Sequence, residues 1–220
     1  MLTLLRFNLI VTIFFFVSLA VQAKDADVKD MISAIEKKLS KTAAKQKAVR
    51  MGKERAVLCN QCHGDDGNST KAGVPNLAAQ NPVYLLNQIE KFADGRRKNY
   101  VMNALSKNFT RDDKENLAIF YASMKVKALK SNAKLAIKGQ PIYIKQCSSC
   151  HGDDGVGQAN FARLAGQQVQ YVETTLRGFR DNSKISGETT KRTSLIMNSI
   201  ASGLSDDDVK ALAAYVAQLR

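Results

Sequence analysis

The chain has 220 residues, a formal net charge of +13 and 45% hydrophobic residues, a size that suits one medium domain or two small ones. The positive surplus predicts a basic surface, which favours an acidic protein partner, anionic lipid or nucleic acid. Only two histidines and four cysteines are present, and all six lie in two short motifs. No histidine or thiol therefore remains for a catalytic constellation elsewhere.

Residues 1–23 have the layout of a secretory signal peptide. Arg6 precedes an apolar run from Leu9 to Val21, and small residues follow it up to Ala23. This pattern predicts export to the periplasm, with cleavage after Ala23. A retained N-terminal anchor is the alternative, although the apolar run is short for a membrane span. Export argues against nucleic acid as the partner.

Residues 24–47 predict an N-terminal helical extension. Met31, Ile35 and Leu39 follow a heptad-like spacing among many lysines. We interpret this segment as a solvated helix that packs weakly on the residues after it. The alternative is a helix that docks on a membrane surface or on a partner protein through its basic residues.

Two closely matching motifs carry the chemistry. CNQCHGDDG spans residues 59–67, and CSSCHGDDG spans residues 147–155. In an exported protein, four cysteines can form disulfides, redox-active dithiols or a zinc site. None of these explains why His63 and His151 each directly follow a Cys-x-x-Cys unit. Cys-x-x-Cys-His is the attachment motif of c-type haem, so the sequence predicts two covalently bound haem c groups. The thioether bonds to the haems would be formed by Cys59, Cys62, Cys147 and Cys150, and the iron ligands would be His63 and His151.

The similarity between the two halves extends beyond the motifs. Residues 76–80 match residues 163–167 at an offset of 87, and Tyr84 and Phe92 match Tyr171 and Phe179. Eight extra residues then fall within 184–192, after which the register resumes at an offset of 95. The chain is therefore predicted to contain two tandem modules, at residues 48–128 and 129–220, with the break near residues 131–132.

Each module has the pattern of an all-α fold. Thr110 and Ser205 are favourable N-cap residues, each with an aspartate three positions later, and apolar residues follow at helical spacing. Residues 82–92 and 169–179 also predict helices. A module of this length is small for a core of its own, and a buried haem would supply much of the missing apolar volume.

The second axial face of each iron needs a ligand other than histidine or cysteine. Methionine, lysine or an open site remain. Among the methionines that follow the predicted signal peptide, only Met102 and Met197 correspond across the repeat, and we predict that each lies in a loop that folds over the haem. The alternative is that both are core methionines.

These features resemble the diheme class I cytochromes, most closely those of the cytochrome c4 type. The resemblance covers about residues 50–220 and includes a methionine before LSDDD and a final helix with LAAYVAQL. It implies two helical modules, each wrapped round a c-type haem with His/Met iron, that pack with their haems close together. In the family, a proline carbonyl accepts a hydrogen bond from the proximal histidine. Pro75 keeps that residue, whereas Ala162 replaces it in the second module. Because the acceptor is backbone, we expect the second ligation to survive.

The resemblance implies an electron carrier that passes single electrons between redox proteins. The expected donor is a quinol-oxidising complex or a dehydrogenase, and the expected acceptor is a terminal oxidase. The alternatives are a cytochrome subunit of a flavocytochrome sulfide dehydrogenase type, a diheme enzyme with an open haem site and a haem-based sensor. Residues 24–130 carry 21 basic and 12 acidic side chains, against 11 and 8 in residues 131–220. The first module is therefore the predicted docking surface, for an acidic protein or for anionic lipid.

Overall fold

The computed structural model describes residues 26–181 and 194–220. Within these two ranges the chain forms helices and no strands, as the all-α prediction required. The predicted signal peptide and the eight extra residues within 184–192 lie outside the described residues. Among the helices that are described, none combines the length and the apolar character needed to cross a bilayer.

The two halves contain the same series of helices. In the first half these are α1 (26–39), α2 (Thr42–Arg55), α3 (Val57–His63), α4 (Pro82–Ala93), α5 (Tyr100–Ser106) and α6 (Arg111–Ala122). The second half contains α7 (Ala133–Gln146), α8 (Ser148–His151), α9 (Val169–Arg180), α10 (Leu195–Ser202) and α11 (Asp206–Gln218). Helices α2 to α6 correspond in order to α7 to α11, and α1 has no counterpart among the described residues of the second module. The helices predicted over residues 82–92 and 169–179 are confirmed as α4 and α9.

Each module is held together by a crossing between its first and last helices. In the first module α2 packs on α6, and in the second α7 packs on α11. Gly52 lies at the first crossing, where a Cβ atom would collide with the carbonyl oxygen of Asn116 and lie 2.6 Å from Cβ of Phe120. Gly139 lies at the second crossing, where a Cβ atom would collide with the carbonyl oxygen of Ala211. Glycine at both positions lets the two helix backbones approach closely.

The last helix of each module begins with the predicted cap. The Thr110 hydroxyl accepts from the backbone N–H of Asp113, and the Asp113 carboxylate accepts from the N–H of Thr110. Ser205 and Asp208 repeat this capping box at the start of α11. Both boxes satisfy backbone donors that the first turn of a helix leaves unpaired.

Helix α1 is part of the first module's core, and our expectation of a weakly packed extension was wrong. Met31 is 1% exposed and Ile35 is 0% exposed, and both belong to the same buried cluster as residues of α4 and α6. The ammonium of Lys38 lies 2.8 Å from the buried carboxylate of Glu115 on α6. The apolar stripe therefore faces the protein, except for Leu39, which is 37% exposed. Met31 and Ile35 are not available to a membrane surface.

The connection between the modules is short, and hydrogen bonds hold it at several residues. Asn132 caps α7 by accepting from the N–H of Leu135, and the N–H of Leu129 donates to the carbonyl of Ala217. Helix α2 runs through the predicted boundary between residues 47 and 48. The domain boundaries themselves stay predictions.

Candidate haem-binding sites

The Cys-x-x-Cys-His residues lie on one short helix in each module. Cys59, Cys62 and His63 belong to α3, while Cys150 and His151 belong to α8, with Cys147 as its N-cap. Residues three apart on a helix are neighbours on its surface, so the two sulfurs of each pair face the same side. All four cysteines are free thiols. In the described residues, no group of three or more histidine, cysteine, aspartate or glutamate side chains could hold a metal ion, so the four cysteines do not form one zinc site.

Each motif histidine is held by a backbone carbonyl. Nδ1 of His63 lies 2.9 Å from the carbonyl oxygen of Pro75, and Nδ1 of His151 lies 2.8 Å from that of Ala162. Because a carbonyl oxygen can only accept, Nδ1 must carry the proton in both rings. The lone pair of Nε2 is then free to bind a metal. The bond expected at Ala162 is therefore present, and the loss of proline there leaves the distance nearly unchanged.

Burial keeps the first-module histidine neutral. His63 is buried, and this desolvation lowers the pKa of its imidazole below the usual value. The hydrogen bond to Pro75 opposes this effect, and the nearby Arg97 guanidinium adds to it. A neutral imidazole is the form that binds iron.

The cysteines and histidines present fit covalent haem attachment. Burial raises the pKa of the Cys59 thiol, and it raises the pKa of Cys147 to about 11. Both thiols are therefore protonated at neutral pH, and neither forms a disulfide. A thioether forms by addition of such an S–H group across a porphyrin vinyl group, and the adjacent imidazole would then reach the iron from the same side. The donor set, two thiols and one oriented imidazole, occurs complete in each module.

Met102 and Met197 lie in helices rather than in the predicted loops. Each is the third residue of a short helix, α5 or α10. The side chain of Asn99 accepts from the N–H of Met102 at 2.9 Å, and the hydroxyl of Ser194 accepts from the N–H of Met197 at 3.4 Å. The N-cap bonds explain the difference, because they start a helical turn at the methionine. Both methionines thus have the same backbone setting.

Asn103 and Asn198, which directly follow the two methionines, have a role that the sequence interpretation missed. The Asn103 side chain accepts from the N–H of Asn99 and donates to the carbonyl of Arg97. Asn198 accepts from the N–H of Ser194 in the same way. The signal was available, since the two asparagines match in the repeat. They fix the start of each methionine-bearing helix.

In each module, the helix that carries the histidine and the helix that carries the methionine are connected to the last helix through different neighbouring helices. In the first module α3 packs on α2 and α5 packs on α4, while α2 and α4 both pack on α6. The second module repeats this arrangement, with α8 on α7, α10 on α9, and both α7 and α9 on α11. The four candidate iron ligands therefore occupy equivalent positions in two similar frames.

The modules meet through an interface with approximate two-fold symmetry. The side-chain amide of Gln80 accepts from the N–H of Arg163 at 2.7 Å and donates to its carbonyl at 3.0 Å. Gln167 makes the same pair of bonds to Asn76, also at 2.7 and 3.0 Å. These residues belong to the matched segments 76–80 and 163–167. The sequence showed the match but not that it forms the contact between the modules.

Comparisons with known proteins agree with this arrangement. The family model described as "Cytochrome c" matches residues 136–220. The chain is 34% identical to cytochrome c4 of Pseudomonas aeruginosa, over 75% of this chain and 85% of that protein. It is 31% identical to a thiosulfate dehydrogenase electron acceptor of Thiomonas intermedia, over 74% of this chain and 78% of the relative. The crystal structure of reduced recombinant cytochrome c4 from Pseudomonas stutzeri superimposes with a TM-score of 0.70 at 30% identity, covering 78% of this chain and 98% of that one.

The fold and the paired motifs define a class I c-type cytochrome built of two modules. The chain belongs to the cytochrome c4 family. It is accordingly an electron-transfer cytochrome with covalently bound haem c, and an electron carrier rather than an enzyme.

Proposed function

We propose that this protein is a periplasmic diheme cytochrome that passes single electrons between respiratory redox partners. The observation that supports this most is the repetition, in both modules, of a Cys-x-x-Cys-His turn whose histidine Nδ1 is held by a backbone carbonyl. The donor set is complete twice, so two haems are the proposed number. The predicted signal peptide supports export.

The proposed ligands divide into three roles. Cys59, Cys62, Cys147 and Cys150 attach the two haems. His63 and His151 would bind the irons through Nε2, and Met102 and Met197 would supply the second iron ligand of each module. Haem c supplies an iron that takes up and releases one electron. With a methionine as the second ligand, each iron would have no vacancy for a substrate, and its potential would be higher than with other ligand pairs.

Partner docking is proposed to use the basic first module. Exposed lysines lie on α1, at the N-cap of α2 and on α2: Lys37, Lys41, Lys45 and Lys47. These charges can guide the protein to an acidic surface, either a redox protein or anionic lipid. Because Met31 and Ile35 are buried, any association with a membrane through this region would rest on charge alone. The proposed donor is a quinol-oxidising complex, and the proposed acceptor is a terminal oxidase.

A dehydrogenase as electron donor is the second candidate. The relative from Thiomonas intermedia that is named a thiosulfate dehydrogenase electron acceptor favours it. Reduction of the purified protein by a periplasmic sulfur-compound dehydrogenase, at a rate above that with a quinol-oxidising complex, would support this donor. The reverse order of rates would favour the quinol-oxidising complex.

A potentiometric titration of the haem-loaded protein, followed optically with and without carbon monoxide, tests the proposal. We expect two positive midpoint potentials and spectra that do not change when carbon monoxide is added, because a methionine would occupy the second ligand position of both irons. A low-potential haem, or one that binds carbon monoxide, would contradict closure by methionine and would remove the proposed carrier mechanism for that module.

A further inference from the structure

The hydrogen bond of each candidate proximal histidine continues into the opposite module. His63 donates to the carbonyl of Pro75, and the same peptide group carries the N–H of Asn76. That N–H donates to the side-chain oxygen of Gln167 at 2.7 Å. One peptide group therefore joins a histidine of the first module to a glutamine of the second.

The second histidine has the equivalent connection, related to the first by the approximate two-fold symmetry of the interface. His151 donates to the carbonyl of Ala162, and the N–H on the other end of that peptide belongs to Arg163. It donates to the side-chain oxygen of Gln80, again at 2.7 Å. The glutamine belongs to the first module. Each histidine is thus linked through one peptide to the module that does not contain it.

The orientation of both glutamine amides follows from their partners. Each amide faces a backbone N–H, which can only donate, and a backbone carbonyl, which can only accept. The oxygen must therefore face the N–H, and the nitrogen must face the carbonyl. Gln80 is 5% exposed and Gln167 is 6% exposed. Water has little access to these bonds, which strengthens them and makes their loss costly.

We propose that Gln167 and Gln80 are positioning residues that tune the haem site of the opposite module, an inference that rests on the proposed function. A hydrogen bond to the N–H of a peptide polarises its carbonyl and makes that carbonyl a better acceptor. A better acceptor for Nδ1–H makes the imidazole a more basic ligand. A more basic ligand stabilises ferric iron, so each glutamine lowers the midpoint potential of the haem across the interface.

The two connections have the same N–H···O distance, 2.7 Å, but different surroundings. The backbone of Asn76 donates to and accepts from Gln167, as the backbone of Arg163 does with Gln80. In addition, the Asn76 side chain donates to the carbonyl of Gly166 at 2.7 Å and accepts from Gln168 at 3.2 Å. Among the residues that the structure describes, the side chain of Arg163, at the equivalent position, makes no such pair of bonds, and its Nε is buried without a partner. The peptide behind His63 is therefore held more firmly than the peptide behind His151. The two connections therefore differ in what surrounds them, although the proposed iron ligands of the two modules are identical.

Two substitutions in the haem-loaded protein test the proposal. Gln167→Met and Gln80→Met keep the length of the side chain and remove both hydrogen-bonding groups. The readouts are the midpoint potential of each haem and, by NMR of the reduced protein, the solvent-exchange rates of the Nδ1–H protons of His63 and His151. Gln167→Met should raise the potential of the first-module haem and speed exchange at His63. Gln80→Met should raise the potential of the second-module haem and speed exchange at His151 by a similar amount, because both N–H···O distances are 2.7 Å.

A control and a conservative variant separate tuning from a loosened interface. Asn87→Ala removes a bond between the modules, to Asn160, that touches neither histidine peptide, and it should move neither potential. Gln167→Glu keeps an oxygen acceptor for the N–H of Asn76, so it should not raise the first potential. A shift in the module that carries the substitution, equal shifts in both modules, or no shift at all would overturn the proposal.

A measurement on the unmodified protein covers the case in which the variants fail to fold. The backbone N–H groups of Asn76 and Arg163 should be protected from solvent exchange although neither lies in a helix. Rapid exchange at either would refute the corresponding connection. These outcomes are distinct from a failure of the proposed function, which would appear as carbon monoxide binding or a low potential in the unmodified protein.

Discussion

Gly52 and Gly139, which lie 87 positions apart, occupy the same point in two modules, where the first helix crosses the last. Gly52→Ala and Gly139→Ala should each lower the free energy of unfolding, by about 1–3 kcal/mol or more, because the added methyl group meets a backbone carbonyl that cannot move aside. Urea unfolding followed by circular dichroism measures this. Gly178, on α9, is the matched control, because a Cβ atom there would meet nothing within 4 Å. Gly178→Ala should be neutral or stabilising.

Substitution of Ile35 tests whether α1 belongs to the core. Ile35→Ala should destabilise the protein by about 2–5 kcal/mol, because it removes a fully buried side chain and leaves a cavity. Leu39→Ala, four residues later on the same stripe, should cost far less, since Leu39 is partly exposed. Equal effects of the two substitutions in thermal unfolding would show that α1 is not anchored as described.

Positions 79 and 166 should respond in opposite directions. Both adopt left-handed backbone conformations, with φ of 54° at Ala79 and 69° at Gly166. Ala79→Gly should relieve strain and stabilise the protein by up to about 1 kcal/mol. Gly166→Ala should destabilise it, because the new Cβ would lie 2.9 Å from Cγ2 of Val126 and 3.0 Å from the carbonyl oxygen of Lys127. The midpoint of urea unfolding checks both, and a loss of stability in Ala79→Gly would contradict this prediction.

Each proposed methionine ligand can be tested by truncation. Met102→Ala and Met197→Ala should each leave one haem that binds carbon monoxide and has a lower potential, because the iron loses its sixth ligand. Optical titration with the gas should show half of the haem responding. Met124→Ala is the control, because Met124 packs against the first module's core and has no methionine counterpart in the repeat. A gas-sensitive Met124→Ala variant would call for a different ligand assignment.

Electrostatic docking predicts a difference between two equivalent lysines. Lys47 and Lys134 lie at the same position of the repeat and are both exposed. Lys47→Glu should slow electron transfer with an acidic partner several-fold at low salt, whereas Lys134→Glu should have a smaller effect. Raising the ionic strength should slow the unmodified protein and reduce the difference, because salt screens exposed charges. Stopped-flow rates that do not change with salt would contradict the docking model.

The sequence predicted the features that depend on neighbouring residues. The haem motifs, the capping boxes at Thr110 and Ser205 and the repeat itself could all be recognised from local patterns. The placement of α1 could not, because the spacing of Met31 and Ile35 is the same for a helix that covers a core and for one that faces a membrane. The roles of Gln80 and Gln167 were hidden for a related reason. Their partners lie more than 80 residues away in the chain.

The reciprocal contact between the two modules has a consequence for their origin. Gln80 holds the backbone of residue 163 as Gln167 holds that of residue 76, so one patch recognises its own copy. Self-complementary patches of this kind are what join identical subunits in two-fold homodimers. A single ancestral module with this glutamine could therefore have paired with itself before its gene was duplicated and fused. In that history, fusion preserved an existing pairing and freed the two copies to diverge, as Pro75 and Ala162 have done.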